Sequence, residues 1–376
     1  MLHNEKKQNL FNNFNKNNLR ESIESNNDLV FKTAFSLNIY KKAPNVILES
    51  EEKSNYIKSI IILLSNVKPI ANYYLKENSK FKHHIKDLPM SYYLSRIIFH
   101  FYPYPENSLQ KSFSLSTFLK VINYFNHCFG LEKENVPIYF LHFLLDMLHN
   151  DDKKLRNNLN LKENIEENNN KKFKEYIEFL AKNEKSCIFE NFCWINQKIK
   201  KCLECSFESI EYSKNFIYEL KFEEMIKNNE FNCNKKISIL DCIKYQSKKI
   251  KMKSGCKNCK KQNFFEESLI RISPKYFIFN LGSVYFIKKN FDKIKIDEEL
   301  YLYDIVKEEN LYNRYILSGK IVYDPDLKEY FAFCCSPVDK NYYNYQKNSI
   351  IKIEKNKFIE SYVYNFLPII LIYEHN

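Results

Sequence analysis

The rhythm of apolar positions changes about halfway along the chain. Between residues 45 and 150 apolar side chains recur at helical spacing, over segments long enough for buried helices. Helices are predicted at 55–66, 91–102 ("SYYLSRIIFHFY"), 114–128 ("SLSTFLKVINYFNHC") and 136–149 ("VPIYFLHFLLDMLH"), with Ser114 as a plausible N-cap of the third. The first lies within "SNYIKSIIILLSNVKPIANYYL" (54–75), where an apolar run from Ile57 to Leu64 ends at Ser65-Asn66 and Pro69 follows. From 187 to 376 the apolar letters gather instead into short aromatic and β-branched runs: "NFIYELKF", "KYFIFNL", "RYILSGKIVY", "EYFAFCC", "SIIKI" and "LPIILIY". Length and composition predict strands there. Helices first and strands second predict an α+β fold, and no internal repeat is visible.

The polar stretches set the expected boundaries. Residues 1–43, rich in Asn, Lys and Glu, are expected to be a weakly ordered extension. Residues 150–185, which open as "NDDKKLRNNLNLKENIEENNN", read as a low-complexity insertion at the surface. The remainder can form a large core, because 44% of the 376 residues are apolar, including 31 Phe and 28 Tyr. Only 4 Gly occur, which excludes a glycine-rich phosphate loop. The net charge of +12 is first of all a solvated, lysine-rich surface, and it is compatible with RNA or acidic protein partners. Met1 leads into Asn, Lys and Gln rather than an apolar leader, and the longest apolar runs are too short to span a bilayer. An intracellular, membrane-free protein with mostly reduced thiols is expected.

Reduced thiols in close pairs point to metal. "CLEC" (Cys202, Cys205) and "CKNC" (Cys256, Cys259) are two CxxC turns in the strand-rich half. Each turn aims two thiolates at one point, and together they complete a tetrahedral S4 site that suits structural zinc and leaves no open position for catalysis. Cys233 and Cys242 lie between the pairs and are alternative ligands. Cys187, Cys193, Cys334 and Cys335 sit among apolar residues and read as core, as does Cys128.

A helical half, cysteine knuckles inside a β-excursion and a β-rich finish make the chain from about 44 to 374 resemble the ubiquitin-specific protease family. "VILESEEKSNYIKSIIILL" (46–64) resembles the cysteine box G-L-x-N-x-G-N-T-C-Y-x-N-S-x-x-Q-x-L, with Leu48, Tyr56, Ser59 and Leu64 in place. "FLHFLLDMLH" (140–149) is similar to the family's E-F-L-x-x-L-L-x-x-L-H helix, with Tyr139 departing from it. "LIRISPKYFIFNL" (269–281) stands where the family has a strand after its second knuckle, and "YILSGKIVY…EYFAF" resembles the histidine box. "YQKNSIIKI" (345–353) resembles the segment that follows it. The resemblance implies a papain-like α+β fold with a helical thumb (44–149), zinc-knuckle β fingers (187–265) and a β-rich palm (266–374).

Carried over residue by residue, the nucleophilic cysteine falls on Asn55 and the oxyanion-hole asparagine on Ser50. The histidine base falls on Glu329, and the residue that orients it on Gln346. Cysteine proteolysis needs a thiolate to attack and an imidazole to shuttle the proton. The first cysteine of the chain is Cys128, and no histidine lies between His149 and His375, so a small shift of register restores neither group. The resemblance therefore implies a catalytically inactive relative, a scaffold rather than an enzyme.

The tri-snRNP-associated splicing pseudo-proteases offer the nearest local similarity, at Tyr56, Leu64, Ser65, Asn66, Val67, Pro69, Tyr73 and Leu75. That branch carries a preceding zinc finger, which no cysteine before Cys128 can supply, and it tends to lack the CxxC knuckles. The pseudo-protease domain of the poly(A)-nuclease deadenylation subunit keeps knuckles and ends in a strand similar to "FLPIILIY" (366–373), but adds a propeller and a nuclease for which this chain has no room. The expectation is a nuclear splicing scaffold in a ribonucleoprotein, with a cytoplasmic deadenylation scaffold as the alternative. Ubiquitin binding is left open. Two rival readings are direct RNA binding by the lysine-rich insertion and an active deubiquitinase using Cys128 beside His127. Adjacent helical residues point about 100° apart, which disfavours that last pair.

Overall fold

The computed structural model describes residues 44, 46–50, 54–102, 112–126, 129, 137–157, 171–228, 236–252, 256–261, 263–303, 305–306, 314–359 and 366–376. Residues 1–43, with the expected extension, and Cys128 and Cys233 lie outside them.

A short parallel pair, β1 (Ile47–Glu49) with β2 (Ser112–Ser114), flanks the helical half. The helices are α1 (Asn55–Ser65), α2 (Lys68–Lys76), α3 (Asn78–His83), α4 (Pro89–Phe101), α5 (Ser116–Phe125) and α6 (Pro137–Asn157). Every residue of α1 is buried. A helix without a polar face belongs in the centre of a domain, and α1 lies between its helical neighbours and the main sheet. Ser114 lies in β2 rather than at a cap, and its Oγ accepts from the Ser116 N–H at 3.2 Å.

Next come α7 (Lys171–Asn183) and α8 (Cys187–Phe192), followed by β3 (Trp194–Cys202), β4 (Glu208–Asn215) and β5 (Ile217–Glu219). After α9 (Phe222–Lys227), β6 (Ile237–Ser238) and α10 (Ile239–Gln246) come β7 (Ile250–Met252), β8 (Phe264–Ile272) and β9 (Tyr276–Asn280). The last elements are α11 (Val284–Asn290), β10 (Ile294–Lys295), β11 (Glu299–Tyr301), β12 (Arg314–Asp324), β13 (Glu329–Cys335), β14 (Tyr342–Tyr345), β15 (Ile350–Ile353), α12 (Lys355–Ile359) and β16 (Leu367–His375).

Two sheets dominate. The palm sheet has eight strands in the order β15-β14-β13-β12-β16-β9-β5, with β11 also on β12. The finger sheet has four, in the order β4-β3-β8-β7. β16 is buried almost throughout, which explains its unbroken apolar run. Pro368 is tolerated in this inner strand because it sits at a register shift against β12, while pairing with β9 begins only at Ile370. α1 settles on the palm at Gly319 of β12, where a Cβ would stand 2.5 Å from Leu63 Cδ1. One core runs through both halves, from Ile57 and Leu63 to Ile321 and Ile370.

The polar stretch 150–185 differs from its expected role. Its first residues extend α6 to Asn157, and α7 occupies 171–183. Asp151 and Asp152 are buried because they serve other elements. Asp151 accepts from the Ser91 N–H in the first turn of α4 at 3.0 Å. Asp152 accepts from the Tyr73 hydroxyl and from the Cys187 N–H that opens α8, and Arg156 pairs with it at 3.2 Å. The expected finger span 187–265 is likewise interrupted. β5 leaves the finger sheet and pairs in parallel with β9 of the palm, because buried Tyr218 packs edge-on against Phe279 at 5.7 Å. Among the described residues no helix is long and apolar enough to cross a membrane.

Candidate functional site

The four positions implicated by resemblance converge where α1 meets the palm. Asn55 opens α1, and its Oδ1 accepts from Ser50 Oγ at 3.1 Å. It is only 5% exposed, and its Nδ2 has no hydrogen-bond partner among the described residues. One turn on, Ser59 Oγ donates to the Tyr330 carbonyl at 2.9 Å, tying α1 to the start of β13. Glu329 is the first residue of β13, and Lys347 Nζ stands 3.4 Å from its Oε1. Gln346 follows β14 in a tight turn, with its N–H on the Ser349 carbonyl at 2.9 Å and its Oε1 accepting from Ser349 Oγ at 3.3 Å.

Lys58 joins these pieces and was not singled out in the sequence. Its Nζ donates to the carbonyls of Gln346 at 3.1 Å and Lys347 at 2.7 Å. Burial pushes its pKa down to about 8, with Glu329 opposing and Lys347 adding to the shift. The available signal was a lone lysine in a helix otherwise apolar enough to be central. The centre thus assembles the hydroxyls of Ser50, Ser59 and Ser349, the carboxamides of Asn55 and Gln346, the ammoniums of Lys58 and Lys347, and the carboxylate of Glu329.

The described thiols lie elsewhere. Cys187 and Cys193 flank α8, both buried, and burial pushes the Cys187 thiol above the usual range. Cys334 and Cys335 sit at the far end of β13 from Glu329. Cys242 is buried on α10, where its Sγ lies 3.5 Å from Gln246 Oε1, so it is not a knuckle ligand. His149 is buried at the end of the thumb, its Nδ1 2.6 Å from Ser186 Oγ and its Nε2 2.7 Å from Glu184. Ser186 is fully buried and caps α8 by accepting from the Phe189 N–H, so this Ser-His-Glu arrangement is structural. His127 and Cys128 are outside the described residues.

The two CxxC turns meet at the fingertip. The Sγ atoms of Cys202, Cys205, Cys256 and Cys259 all lie within 4.8 Å of one another. Cys202 and Cys259 are 3.7 Å apart, and Cys205 and Cys256 3.6 Å. A tetrahedron with metal–sulfur bonds of about 2.3 Å has edges of about 3.8 Å, so the spacing fits one metal ion. The knuckles fold alike. Cys202 N–H bonds the Phe207 carbonyl at 2.8 Å, and Cys256 N–H bonds the Lys261 carbonyl at 2.9 Å. The residue after each second cysteine, Ser206 at φ 56 and Lys260 at φ 62, is left-handed, which turns the chain back over the sulfurs. The Phe207 backbone N–H and the neighbouring thiols hold the Cys205 thiol below its ordinary value, while, against the Lys261 N–H, burial and the same thiols push Cys259 above its own. Asn258 adds N–H donors, from its backbone to Cys256 Sγ at 3.3 Å and from its side chain to Cys205 Sγ at 3.6 Å.

A helical thumb, knuckled fingers and a palm, with a polar centre where thumb meets palm, define a ubiquitin-protease architecture. The chain belongs to the ubiquitin carboxyl-terminal hydrolase family, whose model matches residues 48–373. No curated protein matches it in sequence. Among solved structures it is similar to the yeast SAGA deubiquitinating module with a Sgf73 mutant, at 14% identity and TM-score 0.61, covering 91% of this chain and 70% of that one. The Ubp8/Sgf11/Sus1/Sgf73 module bound to monoubiquitin is similar at 13% identity and TM-score 0.62, covering 99% and 75%. The same module bound to ubiquitin aldehyde gives 13% and 0.62, covering 93% and 72%. At such identities the likeness is one of fold.

Proposed function

We propose that this chain is a catalytically inactive member of its family and works as a scaffold. The observation that carries the reading is Asn55 at the head of α1, buried and bonded to Ser50, with Lys58 and Glu329 around it. A carboxamide is a poor nucleophile, and a carboxylate at the base position has no thiol to activate. What remains is a rigid two-sheet body with a knuckled extension. The four-thiol site at Cys202, Cys205, Cys256 and Cys259 holds zinc in this reading, and its chemistry is to cross-link the finger strands.

The partner is a protein assembly. The similar solved chains sit in multi-subunit modules, which supports an assembly role for this fold without identifying the assembly. The run from Ser54 to Leu75 supports the splicing branch, hence a nuclear ribonucleoprotein and tri-snRNP association. The assembled knuckles favour the deadenylation branch as the second reading. A ubiquitin probe with a C-terminal electrophile tests inactivity: no adduct is expected, and a covalent adduct on any thiol, Cys128 included, overturns it. Affinity purification separates the branches by whether tri-snRNP proteins or deadenylation factors are recovered.

A further inference from the structure

The cation inside the polar centre has a role of its own. Lys58 belongs to the first turns of α1, while the carbonyls that it meets belong to the turn between β14 and β15, nearly three hundred residues away in sequence. A lysine in an apolar helix ordinarily snorkels and ends in water. This one is 5% exposed and ends on two adjacent carbonyls, 2.7 and 3.1 Å away. The turn that it grips is already closed on itself by Gln346 and Ser349. Lys347 reaches from the same turn to Glu329 at 3.4 Å, and Ser59 holds the next residue of β13, Tyr330. The ammonium therefore stands where α1, the start of β13 and the turn 346–349 meet.

We propose that Lys58 is a latch that fastens the palm turn 346–349 to the thumb helix α1, and that its grip on the Gln346 and Lys347 carbonyls keeps the centre shut at rest. A pair of convergent carbonyls is a ready acceptor for a multidentate cation, and it needs no matching anion to hold one. Glu329 supplies the nearby negative charge that favours the ammonium form, and Lys347 and burial oppose it. A partner that engages this face must displace the lysine from its carbonyls or accept the turn where it lies. The latch is a matter of packing and stands whether or not the chain proves inactive.

Hydrogen exchange on the full chain, read by mass spectrometry, tests it without any activity. Lys58→Met keeps the length of the side chain and removes its donors. The amides of 346–353 should exchange at least about tenfold faster in Lys58→Met, while the knuckle amides of Cys202 and Cys256 keep their protection. Lys58→Arg, which restores a multidentate donor, should recover most of the loss. Unchanged protection at 346–353, a uniform loss that includes the knuckles, or no rescue by arginine overturns the latch. The unmodified chain provides a second reading should Lys58→Met fail to fold. In it the Lys58 ammonium protons, held on two carbonyls, should exchange with water slowly enough near neutral pH to be seen in a nitrogen-correlated NMR spectrum, and the fast exchange of a water-exposed lysine overturns the latch.

Discussion

The close approach of α1 to the palm gives a quantitative test of how the centre is held. A methyl at Gly319 would fall 2.5 Å from Leu63 Cδ1, with Phe333 O at 3.6 Å and Cys334 Sγ at 3.9 Å. The last two are ordinary contacts, whereas carbon pairs settle at about 3.5–4.0 Å, so the misfit is roughly 1 Å and falls on Leu63 alone. Leu63 is 1% exposed, so its terminal methyl must make room by a rotamer shift inside the packed core. Gly319→Ala should therefore cost about 1–3 kcal/mol through overpacking. Leu63→Ala should cost about 2–5 kcal/mol through lost contacts and a cavity. The two changes occupy the same space, because the new methyl points into the void left by the leucine. The double variant should be destabilised by at least about 1 kcal/mol less than the sum of the singles. Urea titrations followed by the fluorescence of the single tryptophan, Trp194, read all four corners of the cycle, since Trp194 packs into the shared core. Additivity within about 0.5 kcal/mol would refute the contact as the determinant of how α1 lies on β12.

Two further outcomes are expected. The purified chain should carry one zinc ion, released by chelation or by Cys202→Ser, with loss of amide protection confined first to the fingertip; full protection without metal would remove the structural role. Acid should also weaken the junction of α6, α7 and β4. Burial lowers the pKa of His149 below its ordinary value, with Glu184 opposing and Lys214 and Lys153 adding. The folded state then resists protonation, so stability is complete above about pH 6.5 and is lost as the pH falls through the lower folded value. Against its burial, Lys214, His149 and Lys153 hold Glu184 down to about 2, so its own loss begins only below about pH 4.5. His149→Gln should flatten the stability profile just below about pH 6.5 and leave the step that Glu184 gives below about pH 4.5; an unchanged upper step would remove the histidine as its source.

What was legible in the sequence was whatever burial alone dictates. The unbroken run from Ile57 to Leu64 could only be a central helix, and "LPIILIY" only an inner strand, because both sides of each are covered. The paired cysteines were legible because a CxxC turn fixes two sulfurs locally, and only their meeting needed the fold. Three features were hidden because their reason is tertiary. Asp151 and Asp152 look like surface letters, yet they cap helices remote in sequence. Lys58 looks like a break in a pattern, since its acceptors lie on a distant turn. The short helices α9 to α12 sit among strand-like aromatics, and too few residues define their period.

The path of the chain between the knuckles limits how this body can be taken apart. After Cys205 the backbone runs back along β4, lends β5 to the edge of the palm, and only then returns through β7 to Cys256. The fingers are accordingly no appendage that can be trimmed or grafted. A deletion from Cys202 to Cys259 would strip the outer strand from the palm sheet and bare β9, so shortened versions of this protein must cut inside the β3–β4 or β7–β8 hairpins to leave the rest of the molecule whole.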